Sequence, residues 1–158
     1  MRKGTAIVGV GVALVIGIVV FGIAGDGIGS SDGDSSDYND YQEFYEVETT
    51  AEQVVDPWIP GADVRNPSPG HHFVAIEIVV QNSSSSAEPY YVGFGDYGLT
   101  DSDDFVYGTL EYGATPRVSE VTLEPGQKTR GWITFEVKDG VSVRSLSDWF
   151  GENVALPD

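Results

Sequence analysis

Two stretches of the chain alternate apolar and polar residues with the period of a β-strand. In residues 71–81 one face carries Val74, Ile76, Ile78 and Val80, and the other carries Phe73, Ala75, Glu77, Val79 and Gln81. In residues 129–137 one face carries Ile133, Phe135 and Val137, and the other carries Trp132, Thr134 and Glu136. Successive side chains of a strand point to opposite faces. The alternation therefore predicts two strands that turn their first-named faces into a core, with the second face of 71–81 partly covered.

Shorter apolar stretches, separated by turn residues, predict further strands. These cover residues 44–55, 89–94, 99–100, 105–110 and 118–123, and the first ends before the breaker Asp56-Pro57. The turn Glu124-Pro125-Gly126-Gln127 has proline and glycine where a type II turn needs them. No stretch after Gly25 shows a helical period. About seven short strands at regular spacing predict an all-β, immunoglobulin-like antiparallel β-sandwich over residues 44–158.

The N-terminus carries a long apolar run. Residues 5–24 contain no acid, base or amide, and about 20 residues of helix span a bilayer. Arg2 and Lys3 precede the run and all the acids follow it, so the positive-inside rule places residues 1–4 in the cytoplasm and the rest of the chain outside. The run is expected to be a retained transmembrane helix. A signal segment cleaved after Ala24 and a pilin-like leader cleaved near Gly4 are the alternatives.

Residues 25–43 form an acidic linker of serine, glycine and aspartate that cannot bury enough apolar surface to fold. Five loop positions of a calcium-binding EF-hand are matched by Asp32, Asp34, Ser36, Asp40 and Glu43. However, Asp37 replaces the required glycine, and no amphipathic helix flanks the stretch. The match is attributed to the acid-rich composition. The linker is expected to hold the domain away from the membrane.

The charge of the chain narrows the choice of partners. It contains 25 Asp and Glu against 8 Lys and Arg, for a net charge of −17, and it has no cysteine. Such a field repels nucleic acid and anionic lipid, so no nucleic-acid partner is expected. Disulfides and thiolate metal sites are excluded. The scarcity of lysine beside abundant carboxylates is typical of proteins from salt-loving microbes.

The residues offer little for catalysis. The two histidines, His71 and His72, are adjacent on a strand, so their side chains point to opposite faces and cannot share a metal ion. There is no cysteine nucleophile, no Gly-x-Ser-x-Gly elbow and no phosphate-binding glycine loop. The chain is therefore expected not to be an enzyme, and no cofactor is expected apart from calcium.

Two weaker signals concern ligands and modification. Asp101, Asp103 and Asp104 lie in one turn and could supply oxygen ligands to calcium. Asn82-Ser83-Ser84 is a glycosylation sequon at a strand end. Aromatic residues also concentrate in the middle strands, where they suit either a core or a binding surface: Tyr90, Tyr91, Phe94, Tyr97, Phe105, Tyr107 and Tyr112.

The order of several short motifs resembles a known family. They are a glycine before a long strand ending in asparagine, a leucine–aspartate–turn–tyrosine hairpin, a leucine-x-proline-glycine turn and a glycine-x-hydrophobic-x-phenylalanine strand. The matching residues are Gly70 with 73–82, then Leu99, Asp101 and Tyr107, then Leu123, Pro125 and Gly126, then Gly131, Ile133, Phe135 and Val137.

Over residues 47–156 the chain resembles the telokin-like, immunoglobulin-like domain of unknown function found in bacterial and archaeal secreted proteins and lipoproteins. It departs from the family at Asp104, where glycine is usual, and in lacking the lipid-bearing cysteine common among relatives. The resemblance implies an extracytoplasmic sandwich and no reaction.

These observations predict a non-catalytic binding or structural module on the outer cell surface, anchored through residues 5–24. Its partner is expected to be an extracytoplasmic protein or cell-surface ligand. A pilin-like filament subunit and a secreted hydrolase are the alternatives. The hydrolase would need a pocket that brings acids together with one of the histidines.

Overall fold

The computed structural model describes residues 46–85, 89–148 and 151–157, together with the backbone of Gly17 and Ile18. Over these residues the protein is all-β, with one short 3₁₀ turn at Phe94–Asp96. The strands are β1 (Gly17–Ile18), β2 (Glu46–Trp58), β3 (His71–Asn82), β4 (Tyr90–Val92), β5 (Gly98–Asp101), β6 (Val106–Gly108), β7 (Val121–Leu123), β8 (Lys128–Lys138), β9 (Val143–Ser147) and β10 (Asn153–Val154).

The strands form two four-stranded antiparallel sheets and one two-stranded sheet. The first sheet has the order β1-β2-β3-β8, the second has the order β10-β9-β5-β6, and β4 pairs with β7. One hydrophobic core draws on all three sheets, with Ile76 and Phe135 from the first, Leu99 and Leu146 from the second, and Leu123 from the third. The predicted all-β antiparallel sandwich is confirmed.

The alternation in β3 and β8 gives the burial that it predicts. The side chains of Val74, Ile76, Ile78, Val80, Ile133, Phe135 and Val137 are all at most 2% exposed. Phe73, on the opposite face of β3, is buried as well, because Trp58 and Tyr112 pack on it with ring centroids 6.0 and 6.3 Å away. The outer face of the first sheet is therefore partly covered, as expected.

A loop segment, residues 116–118, runs along β8 in direct backbone contact. The Trp132 amide donates to the Pro116 carbonyl at 2.8 Å, and the Val118 amide donates to the Trp132 carbonyl at 3.1 Å. Gly131 makes this approach feasible, because a Cβ atom there would lie only 2.4 Å from the Val118 nitrogen. The glycine lets the connection between β6 and β7 lie against the sheet.

The sandwich has two ends, which we name by where the chain enters. The near pole contains the start of β2 at Glu46 and the turn 124–127. The far pole contains the loop 59–70, the turn 102–105 and the turn 139–142. Thirteen residues of β2 separate the poles, a span of about 40 Å at the usual strand rise.

The predicted N-terminal helix is not found in the residues described. Within 5–24 the structure describes only Gly17 and Ile18, which form a strand paired with Val47 and Glu46. The structure therefore does not show the predicted helix, and a transmembrane helix over 5–24 stays a prediction. The rest of the run and the linker 25–43, with its EF-hand-like pattern, lie outside the described residues. No helix among the residues described is long and apolar enough to cross a membrane.

Other boundaries differ from the sequence predictions. β2 continues through Asp56-Pro57, where the pairing with β3 shifts between Val55 and Trp58, so the proline occupies an irregular position that needs no ladder hydrogen bond. The strands β9 and β10 were not predicted. The turn 124–127 has the expected geometry, with Gly126 at φ 82° and the Gln127 amide 2.9 Å from the Glu124 carbonyl.

Candidate functional site

The acidic turn between β5 and β6 is organised by one buried carboxylate. Asp101 is fully buried, and its Oδ1 accepts hydrogen bonds from the Asp103 amide at 2.8 Å and the Phe105 amide at 3.0 Å. Its Oδ2 accepts a hydrogen bond from the Tyr107 hydroxyl at 2.6 Å. These are the charge-assisted bonds that a buried carboxylate requires. Asp101 therefore fixes the shape of the turn.

The same bonds shift two pKa values in opposite directions. The Tyr107 hydroxyl, followed by the Phe105 and Asp103 amides, lowers the pKa of Asp101, although burial opposes this. The hydrogen bond to Asp101, followed by burial, raises the pKa of Tyr107. The pair is thus held as a carboxylate and a neutral phenol.

Two of the three calcium ligands predicted from sequence, Asp101 and Asp104, have other partners in the structure. Asp104 occupies the left-handed region at φ 66°, where relatives of the resembled family usually have glycine, and its carboxylate ion-pairs with Arg144 at 2.5 Å. The carboxylate of Asp101 accepts the three hydrogen bonds described above. Among the described residues no three His, Cys, Asp or Glu side chains are grouped to hold a metal ion. Calcium binding by Asp101, Asp103 and Asp104 stays a prediction.

Asn82, the residue of the glycosylation sequon, is fully buried at the near pole. Its Nδ2 donates to the Leu123 carbonyl at 2.9 Å, and its Oδ1 accepts from the Ser84 amide at 3.0 Å. Its backbone bonds Gln127 and Gly126 of the turn between β7 and β8. Glycosylation at Asn82 stays a prediction, and it would require modification of the amide before the domain folds.

The two histidines have different surroundings, as their opposite faces imply. The His72 Nε2 lies 3.0 Å from Asp56 and its Nδ1 lies 3.0 Å from Asp139, so the ring connects the ends of β2, β3 and β8. The His71 Nδ1 has only a 3.3 Å contact with the Pro69 carbonyl among the side-chain hydrogen bonds of the described residues. The His72 side chain is 20% exposed, with a carboxylate beside each ring nitrogen.

A second polar cluster holds the loop 59–70 on the outer face of the first sheet. Glu136 accepts hydrogen bonds from the Ser68 amide at 2.5 Å and from Arg65 at 2.7 Å, and Arg65 also donates to the Tyr112 hydroxyl. Burial would raise the pKa of Glu136, but the bonds from Ser68 and the charge of Arg65 lower it. These groups serve to hold the loop.

Three of the aromatic residues singled out from the sequence belong to the core or to its edge. Tyr97 is buried, and Tyr90 and Tyr107 pack against the core from its edge. Burial, followed by the charges of Asp96 and Asp148, raises the pKa of Tyr90 to about 12. Tyr91 and Phe105 are more than half exposed and lie on different parts of the surface.

Exposed apolar residues concentrate at the far pole. Four large hydrophobic side chains are exposed among the residues described, and three of them lie there: Ile59 at 82%, Phe105 at 63% and Val106 at 67%. Tyr91, on β4, is the fourth. The far pole is therefore the candidate functional site of the domain.

Backbone hydrogen bonds hold the far-pole loops against one another. The Ser102 amide donates to the Ser142 carbonyl at 2.8 Å, and the Asp139 amide donates to the Gly70 carbonyl at 2.9 Å. The turn 139–142 thereby joins the other two loops. The sequence does not predict this site, because its residues come from three separate segments of the chain and Phe105 is its only residue among the candidate aromatic residues.

The comparisons with known proteins agree with the fold. A secreted protein from Mycobacterium tuberculosis, MPT63, has a similar crystal structure, with a TM-score of 0.50 and 18% sequence identity over 70% of this chain and 80% of that chain. No curated protein matches the chain. A family model described as "Domain of unknown function (DUF4352)" matches residues 36–147. The chain therefore belongs to the DUF4352 family of domains of unknown function.

Proposed function

We propose that the protein is a non-catalytic binding or structural module that residues 5–24 anchor to the membrane and that presents an immunoglobulin-like sandwich outside the cell. The absence of catalysis in this proposal is supported by one observation: the best-placed ionisable groups of the domain already have structural partners. Asp101 fixes a turn, Glu136 holds a loop, and His72 connects three strand ends. Each of these groups is bonded to other parts of the fold. A general acid or base would instead have to reach a substrate.

The extracellular placement rests on the sequence around the apolar run. Arg2 and Lys3 precede residues 5–24, and every acid of the chain follows them, which is the arrangement of a segment whose C-terminal side is exported. The description of MPT63 as a secreted protein agrees with this placement.

The experiment that tests the proposal determines the mature N-terminus and the location of the domain together. Mass spectrometry of the protein isolated from its own cells should find residues 1–24 retained. Protease added to intact cells should digest the linker 25–43, while the same treatment of inside-out vesicles should spare it.

Each other outcome contradicts the proposal in a distinct way. A mature protein that begins at Gly25 would be secreted without an anchor. One that begins at Gly4 or Thr5 would point to a filament subunit. Protection of the linker in intact cells, with digestion in inside-out vesicles, would place the domain in the cytoplasm.

A further inference from the structure

The far pole combines exposed apolar side chains with a surplus of acids. Phe105 and Val106 are neighbours at the start of β6, and Asp103 and Asp104 directly precede them. Single exposed hydrophobic residues are common on soluble proteins, but three of the four large ones among the described residues lie at this pole, and a concentration of exposed apolar side chains marks an interaction site. An exposed phenylalanine in particular is a typical anchor of protein interfaces.

The charges of this surface select the partner. Arg144 is paired with Asp104, and Arg65 is paired with Glu136. Among the described residues, neither Asp63 nor Asp103 has an ion pair with lysine or arginine, and the side chain of Asp139 is 58% exposed. The net charge of −17 adds a long-range field that attracts cations.

The surface is also presented in a fixed form. The turn that carries Phe105 is held from inside by the three hydrogen bonds of Asp101, and the backbone of Ser102 is bonded to the neighbouring turn. A surface ordered before binding loses less conformational entropy when its partner arrives. The far pole lies about 40 Å along β2 from Glu46, where the linker reaches the domain.

We propose that the far pole binds a protein segment in which lysine or arginine side chains flank an apolar side chain. The apolar side chain contacts Phe105, and the cations contact the carboxylates of Asp103 and its neighbours. This inference rests on the proposed function, since it names the surface and the partner class of the extracellular module. A second copy of the chain fits less well because it brings the same negative field, and an anionic membrane is repelled for the same reason.

The test uses the full chain in nanodiscs of phosphatidylcholine, with empty nanodiscs as the blank. The probe is a short peptide in which lysine alternates with leucine, and its binding is measured by biolayer interferometry. Two matched peptides replace leucine by serine or lysine by glutamate. We expect the lysine–leucine peptide to bind, the lysine–serine peptide to bind about tenfold more weakly and the glutamate–leucine peptide not to bind.

Variants locate the binding on the molecule. Phe105→Ser and Asp103→Asn should each weaken lysine–leucine binding by about tenfold, the usual effect of losing an interface anchor. Tyr91→Ser, which removes the exposed aromatic outside the far pole, is the matched control and should leave binding unchanged. Circular dichroism of each variant verifies that the fold is intact.

Several results would overturn the inference. Equal affinity of the Phe105→Ser and Tyr91→Ser variants would mean that the peptide binds elsewhere. Equal affinity of the lysine–serine and lysine–leucine peptides would mean that charge alone accounts for the binding. Self-association of the chain that Phe105→Ser abolishes would assign the surface to a second copy. Flotation with vesicles of phosphatidylcholine and phosphatidylglycerol, beyond that of the Phe105→Ser variant, would assign it to a membrane. None of these results bears on the mature N-terminus or the topology, so the proposed function fails or stands separately.

Discussion

Replacement of Gly131 by alanine tests whether the loop segment 116–118 depends on a missing side chain. A Cβ atom at this position would lie 2.4 Å from the Val118 nitrogen and 2.5 Å from the Arg117 carbonyl carbon, whereas ordinary contacts begin at 3.4 Å. Both nearest atoms belong to the backbone, so no side-chain rotation can relieve the overlap. The segment would have to move away from β8 by about 1 Å.

The cost follows from what this movement disturbs. It weakens the two backbone hydrogen bonds that connect Trp132 to Pro116 and Val118, each of which contributes about 1 kcal/mol. Overpacking around Val118, which is 1% exposed, adds about 1–3 kcal/mol. We therefore expect Gly131→Ala to lower the free energy of unfolding by about 3–5 kcal/mol, a large part of the total stability of a domain of this size.

Equilibrium urea unfolding, followed by far-ultraviolet circular dichroism, measures the effect. The loss should lower the urea midpoint by about 2 M at a typical denaturant dependence for a small domain. Gly108→Ala is the matched control, since no heavy atom lies within 4 Å of a Cβ placed there and the residue is also in a strand. Its midpoint should stay close to that of the unmodified protein. If the two variants unfold at the same urea concentration, the proposed steric role of Gly131 is wrong.

Three further predictions concern the core, the buried carboxylate and the net charge. Phe135→Ala should lower the free energy of unfolding by about 3–5 kcal/mol, while Trp132→Ala on the opposite face should cost less, and the reverse order in urea unfolding would contradict the assigned register. Tyr107→Phe should destabilise the protein at neutral pH. The folded state lowers the pKa of Asp101, so the ionised carboxylate stabilises the protein fully above the ordinary aspartate pKa of about 3.9. This stabilisation is lost as the pH falls through the pKa of Asp101 in the folded state. The difference in melting temperature between Tyr107→Phe and the unmodified protein should therefore narrow in acid, and a constant difference down to pH 2 would contradict this linkage. The melting temperature should also rise from about 10 mM to about 1 M sodium chloride, as screening reduces repulsion among the acids, and a weakly salting-out salt at equal ionic strength should give the same rise. Equal midpoints at the two sodium chloride concentrations would refute the salt-adapted interpretation of the composition.

The parts of the fold that sequence predicted are those in which a strand has one fully buried face. β3 and β8 alternate over many residues, so their inward faces could be assigned directly. β9 reads Val-Arg-Ser-Leu-Ser, and only Leu146 is buried, so the sequence carries little periodic signal. β10 has two residues and is defined only by its pairing with β9. Such strands are recognised through their neighbours, which a single sequence does not show.

The site was less predictable than the fold for a related reason. A cluster of aspartates in a turn predicts oxygen ligands, but burial of one member changes its role, and Asp101 bonds the turn itself. Likewise, Asn82 matches a sequon by sequence, whereas its amide bonds the backbone inside the folded domain. The apolar surface of the far pole depends on which side chains the folded loops leave uncovered.

The direction of β2 determines how the domain would bear mechanical load. The linker reaches the domain at Glu46, and a partner at the far pole would hold the opposite end of the same long strands. The hydrogen bonds between β2 and β3 run perpendicular to the strands. Tension between the membrane and the partner would therefore act along the strands and shear many of these bonds together, instead of opening them one after another. A domain held in this way would resist pulling far better than one peeled from the end of a hairpin.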